Sequence, residues 1–206
     1  MSETRLKAIY ARKSTRKYNN KKPPKEKIEK IIKAGMWAPS PKNIQPWRFL
    51  VVDDKTKIET IAKILERRIR YLSEESAAKG VMRKDLILAQ ETVKIIKQLP
   101  VLIFIFLTSD SYRIHDDGVN WELNARDIEV THIMSIGAAI QNMLLEATDE
   151  QIDSLWMGDF FYAYNEIKEY LGKKGTLLAV VGFGYGINDK SERSTRRKFQ
   201  EVVEYI

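Results

Sequence analysis

Ala38-Pro39-Ser40-Pro41-Lys42-Asn43-Ile44-Gln45-Pro46-Trp47-Arg48-Phe49 is a proline-broken loop that runs straight into an apolar segment. Prolines at 39, 41 and 46 fix three φ angles, which suits either Ser40 and Asn43 held ready for a polar, planar ligand or an ordinary helix-to-strand connection with Trp47 as core filler. Residues 47–52 then read as a buried strand, and Asp53 or Asp54 caps a helix whose Ile58, Ile61, Ala62 and Leu65 share one face. Upstream, Ile28, Ile31, Ile32 and Met36 recur at helical spacing, and that helix must stop before Pro39. Earlier still, a short helix capped by Ser2, with Leu6, Ile9 and Tyr10 as its stripe, delivers Arg12-Lys13-Ser14-Thr15-Arg16. Two guanidinium forks and a hydroxyl in one short stretch suit a phosphate, because Arg offers paired directional donors where Lys is a point charge. The alternative is an ordinary basic helix end whose cations face the helix dipole.

Residues 101–107, after Pro100, form a second, fully buried strand, and residues 177–185 a third. Between them, residues 128–148 are apolar nearly all round, which marks a central helix or a helix at a subunit interface. Residues 70–98 read as a charged helical excursion, and the stretch carrying Asp110, Asp116, Asp117 and Gly118 as loop. With 206 residues, 44% hydrophobic and 31% charged, the chain is expected to be one domain over residues 1–206. No apolar run approaches the roughly 20 residues that cross a bilayer, and the first residues lack a secretory pattern. The expectation is a cytoplasmic protein with no membrane partner.

Zero cysteines exclude disulfides, cysteine nucleophiles and thiolate metal sites. His115-Asp116-Asp117 and the distant His132 offer no i, i+4 ligand pair, so no metal is expected. Gly182-Phe183-Gly184-Tyr185-Gly186 lacks the strand-turn-helix context of a dinucleotide fingerprint and reads as a closely packed strand. A net charge of +7 favours anionic partners without choosing among them. No recognition helix or aromatic-basic strand motif supports nucleic acid.

The N-terminal half resembles the FMN-dependent nitroreductase family, in which Arg-x-Ser-x-Arg is followed, after an amphipathic helix, by a Pro-Ser-x-x-Asn-x-Gln-Pro-Trp loop. Gly137-Ala138-Ala139-Ile140-Gln141-Asn142-Met143-Leu144-Leu145-Glu146-Ala147 is similar to that family's central helix, and Ser154-Leu155-Trp156-Met157-Gly158 to the segment beside the flavin ring. Residues 178–186 and the following Arg196-Arg197-Lys198-Phe199-Gln200-Glu201-Val202-Val203 look like its last strand and basic tail. The likeness is strong over residues 5–53, moderate over 133–160 and 177–203, and poor over 60–130.

The resemblance implies an α+β, nitroreductase-like fold with a mixed, mostly antiparallel central sheet wrapped by helices, and an intertwined homodimer with FMN at its interface. By position, Arg12, Lys13, Ser14 and Arg16 would hold the ribityl phosphate together with Arg196, or with Arg197 or Arg193 if the tail register differs. Pro39, Ser40, Pro41 and Asn43 would come from the other subunit to border the isoalloxazine, and Trp156, Met157 and Gly158 would present backbone to the reactive ring edge. The tail, about residues 191–206, would pack on the partner.

The implied activity is ping-pong reduction of nitroaromatic, quinone or similar electron-poor small molecules by NADH or NADPH. The flavin carries the electrons and no side-chain nucleophile is needed. Dehalogenation, enoate-type reduction or flavin fragmentation on the same scaffold stay open as alternatives, as do non-catalytic flavin binding and, remotely, a basic nucleic-acid module. One departure stands out. Thr148-Asp149-Glu150-Gln151-Ile152-Asp153-Ser154 replaces the Gly-rich turn common in relatives, which removes easy access to φ > 0 and adds three carboxylates.

Overall fold

None of the seven side chains of strand β2 (Val101–Leu107) reaches solvent, so successive residues must face two different covers. Val101, Ile103, Ile105 and Leu107 pack with helices α2 (Lys25–Met36) and α5 (Ala125–Asp149). Leu102, Phe104 and Phe106 pack with α3 (Lys55–Ala78) and α4 (Lys84–Gln98) on the opposite face. The computed structural model describes residues 4–108, 125–187 and 195–206. Its remaining elements are α1 (Thr4–Ala11), β1 (Trp47–Val52), β3 (Asp153–Met157), α6 (Tyr164–Leu171) and β4 (Thr176–Gly184).

The sheet order is β1-β2-β4-β3, with every strand pair antiparallel. The strands expected at 47–52, 101–107 and 177–185 are all present, while β3 is an addition. Its parallel component among the described residues is a single bridge, Ser14 to Ser154, which brings the N-terminal segment to the β3 edge. Asp54, rather than Asp53, caps α3 by accepting from the Lys57 N–H at 2.9 Å. Close packing explains the glycine string: a Cβ at Gly182 would lie 2.3 Å from Leu99 Cδ1, and one at Gly184 2.9 Å from Pro100 Cδ.

Two helices differ from the pattern read along the chain. In α1, Ile9 and Tyr10 are exposed and Ala8 is buried, because the short helix approaches α5 through its smallest side chain. α5 is long and apolar enough by composition to cross a membrane, yet its second half lies in the core through Ile136, Ala139, Ile140, Met143, Leu144 and Ala147. Its first half leaves Val130, Ile133 and Met134 partly exposed.

Candidate functional site

α1 ends where the Arg12 N–H donates to the Ala8 carbonyl at 2.9 Å, and the chain then becomes extended instead of continuing as a basic helix end. It runs along β3: the Thr15 N–H donates to the Ser154 carbonyl at 3.1 Å, and Tyr18 bridges Gly186. Extended chain has a period of two, so Arg12 and Ser14 share one side while Lys13 faces another. The same alternation in β3 puts Ser154 and Trp156 on the Arg12 side and buries Leu155 and Met157 in the core.

These residues meet in one open cavity of about 420 Å³, lined by Ile9, Arg12, Ser14, Gln141, Leu144, Ser154, Trp156 and Arg196. Arg196 arrives from the tail, and Gln141 and Leu144 from one face of α5. Among the described residues no Asp or Glu lines the cavity, and Trp156 is 47% exposed at its wall. Two guanidinium groups and a hydroxyl facing one space fit a phosphate dianion. Gln141 is a lining residue that the sequence motifs do not single out. Its place one helical turn from Leu144 is the signal that could have marked it.

Lys13 lines an adjoining cavity of about 250 Å³ with Thr148, Gln151 and Asp153. Arg16 is exposed and lines neither cavity, and its Nη1 donates to the Ser14 carbonyl at 3.4 Å. Met157 is buried, and Gly158 is exposed just beyond the end of β3.

Two of the three carboxylates at 149–153 serve as fasteners. Asp153 accepts from Thr15 Oγ1 at 2.8 Å and from the Gly186 N–H at 2.9 Å, which ties the Arg12–Arg16 segment to the chain just after β4. Glu150 pairs with Lys30 at 2.6 Å and with Lys27 at 3.4 Å, and its carboxyl is held below the ordinary range chiefly by the Lys30 hydrogen bond. The missing glycine conformation is nevertheless present: Gln151 has φ +58°. Ile152 N–H donates to Ala147 C=O and Gln151 N–H to Thr148 C=O, a Schellman ending of α5 carried by a residue with a Cβ.

The proline loop stands apart from this cavity. Pro39, Pro41 and Asn43 are exposed, Ser40 is half-buried, and none of them lines it. Lys42, Asn43 and Gln45 all have positive φ, and Ser40 Oγ accepts from the Gln45 N–H at 2.9 Å to close the loop. Trp47 behind it is core, opposite Leu107 in the β1–β2 pair. Arg83 is bound to Asp85 and holds that carboxyl well below its usual range. His132 is buried, and burial lowers its pKa. Arg193 and the stretch with Tyr112, His115 and Trp121 lie outside the described residues.

A family model described as Nitroreductase family matches residues 9–185. A protein of Archaeoglobus fulgidus, provisionally named NADH dehydrogenase/NAD(P)H nitroreductase, is 47% identical over 58 residues, which are 28% of this chain and 33% of that protein's length. The BluB-like flavoprotein of Clostridium difficile 630 has a TM-score of 0.77 at 27% identity, covering 98% of both chains. A provisionally named nitroreductase of Desulfovibrio desulfuricans, solved in complex with FMN, has a TM-score of 0.70 at 26% identity, covering 100% of this chain and 98% of that one.

Proposed function

The chain belongs to the nitroreductase family, and from that premise we propose that it is an FMN-dependent NAD(P)H oxidoreductase acting on nitroaromatic, quinone or similar electron-poor small molecules. The observation that carries the reading is the cavity that gathers Arg12, Ser14 and Arg196 beside Trp156. Its volume of about 420 Å³ falls within the range of small-molecule sites, roughly 300–1,000 Å³. The FMN complex of the Desulfovibrio relative and the NAD(P)H in the Archaeoglobus relative's name support the choice of cofactor and donor.

Arg12 and Arg196 supply forked donors to the phosphate, and the Ser14 hydroxyl completes the cradle. Lys13 and Arg16 add positive field from the flanks. Backbone of Trp156, Met157 and Gly158 borders the ring. FMN held by these residues would supply the redox chemistry, a ping-pong exchange of hydride from NADH or NADPH and electrons to the acceptor. The protein's part is to bind, orient and limit access.

The other wall of the ring site is Pro39, Ser40, Pro41 and Asn43 of the partner subunit in a homodimer. Supporting this, Met36 and Trp37 beside the loop, Met134 on α5 and Phe199, Val202 and Tyr205 in the tail are all exposed apolar groups. Among the described residues β1 also ends the sheet with an open edge, which a partner's extended tail, about residues 191–206, is suited to cover. The whole is read as one domain per chain, working in the cytoplasm where nicotinamide donors are supplied.

The visible spectrum of the purified protein, followed by anaerobic addition of NADH or NADPH, tests the reading. A yellow protein bleached by either donor is expected. A colourless protein that FMN does not reconstitute rules the reading out, and a yellow one that neither donor bleaches reduces it to flavin binding without turnover.

A further inference from the structure

The ladder between β3 and β4 ends at the pair Met157 and Val180, so Gly158 is the first residue that the sheet no longer holds. It opens a 3-10 turn, Asp159–Ala163, whose Phe160 and Ala163 are buried in the core shared with α3. The turn's polar groups point instead to α4. Thr92 Oγ1 donates to Asp159 Oδ2, and Tyr162 OH donates to Asp85 Oδ2 at 2.7 Å. Asp85 is in turn gripped by Arg83, through Nε at 2.9 Å and also through Nη2. Thr92 is buried, although the bond it makes joins residues 67 apart in sequence.

We propose that α4 is the positioning element of the flavin-side segment, with Thr92 and Asp159 fixing the backbone at Gly158 and the Tyr162–Asp85–Arg83 chain bracing the far end of the turn. This rests on the FMN reading above. A glycine at the end of a ladder has more backbone freedom than any other residue, and peptide groups meant to face a ring must hold one orientation. Strand pairing restrains the chain before Gly158. The two carboxylate bonds restrain it afterwards, from α4. Thr92, Asp159, Tyr162 and Asp85 are positioning residues, since each acts on the ring through backbone.

Thr92→Val keeps the side-chain shape and removes the donor, and it is compared in FMN-loaded protein with Lys94→Ala on the exposed side of the same helix. FMN affinity, set by the phosphate end, changes little. The rate of flavin bleaching by NADH falls by on the order of ten- to a hundredfold, the flavin's midpoint potential and absorption maximum shift, and amide exchange at residues 158–163 accelerates in the cofactor-free chain. Thr92→Ser restores all of these, and Lys94→Ala alters none. A folded Thr92→Val protein with wild-type exchange, potential and bleaching overturns the proposal. If Thr92→Val does not fold, Tyr162→Phe is measured by the same readouts, and wild-type values there overturn the proposal equally. Failure of the wild-type chain to take up FMN strikes the cofactor reading itself, and it is told apart because it precedes any substitution.

Discussion

Residues 12–18 are stitched to the sheet by backbone bridges at Ser14 and Tyr18 and by the Asp153 carboxylate, whereas residues 39–46 stand largely exposed with Lys42, Asn43 and Gln45 in left-handed conformations. The first region delivers its side chains to a cavity of its own chain. The second holds non-glycine residues in conformations that cost about 1–3 kcal/mol each, and lines no part of that cavity. That contrast, one wall fastened within the chain and one exposed loop with left-handed residues outside the cavity, supports the proposal that a second copy completes the site. The difference teaches where rigidity was needed: at the anionic end, where charge and direction must both be right, local fastening is dense.

The largest effect is expected from removing the finished wall. Arg12→Ala with Arg196→Ala weakens FMN binding by at least about 100-fold, because each lost charge-assisted hydrogen bond is worth about 1.5–3 kcal/mol. Circular dichroism stays unchanged, and Arg16→Ala, outside the cavity, changes affinity by less than about fivefold. Equal losses in a titration of Arg16→Ala and Arg12→Ala would erase the distinction drawn from the cavity lining.

Cutting the fastening comes next. Asp153→Ala frees both Thr15 and the Gly186 amide and destabilises the fold by about 2 kcal/mol in urea denaturation. A stability equal to wild type would mean that the edge pairing holds without its carboxylate.

The exposed loop is probed by Asn43→Ala, which lowers FMN affinity about tenfold, the worth of one neutral hydrogen bond, with circular dichroism unchanged. Co-refolding it with the Arg12→Ala, Arg196→Ala chain gives hybrids in which one site carries every defect and the other none, so one tight FMN per two chains returns. Titration showing no tight site in the mixture would place both walls in a single chain.

Gln151→Gly tests the junction behind the first wall: it removes a Cβ from a left-handed position and raises stability by about 1 kcal/mol, seen as a higher Tm. The smallest effect concerns Glu150, which ties the helix leading into the loop to the end of α5. Its pKa is lowered in the folded chain, so its stabilisation is present above the ordinary 4.5 and lost as pH falls through the folded value. The Tm gap between wild type and Glu150→Gln should therefore hold at neutral pH and close in acid.

Much of this is legible in the chain. β2 announces itself because seven consecutive apolar residues leave no polar face, and Ile58, Ile61, Ala62 and Leu65 mark the buried side of α3 by spacing alone. Arg12, Ser14, Trp156 and Arg196 stand out by their order along the chain, and the fold brings these four to one cavity. β3 escapes a reading by pattern, since a five-residue strand with exposed Trp156 and polar Asp153 carries little periodicity. The Arg12 segment resembles a helix end in sequence because its extended conformation depends on an edge supplied from far along the chain, where Asp153 lies 138 positions beyond Thr15.

By itself, the sequence determined the three core strands and the buried face of α3, because hydrophobic period acts over a few neighbouring residues. Only the tertiary structure decided which edge the basic segment joins, that Arg12 and Arg16 part company, that Gln151 takes a glycine's conformation, and that α4 braces the turn after Gly158. Those outcomes are choices among long-range partners, fixed by which donors, carboxylates and close-packed surfaces the folded layers bring within hydrogen-bond reach.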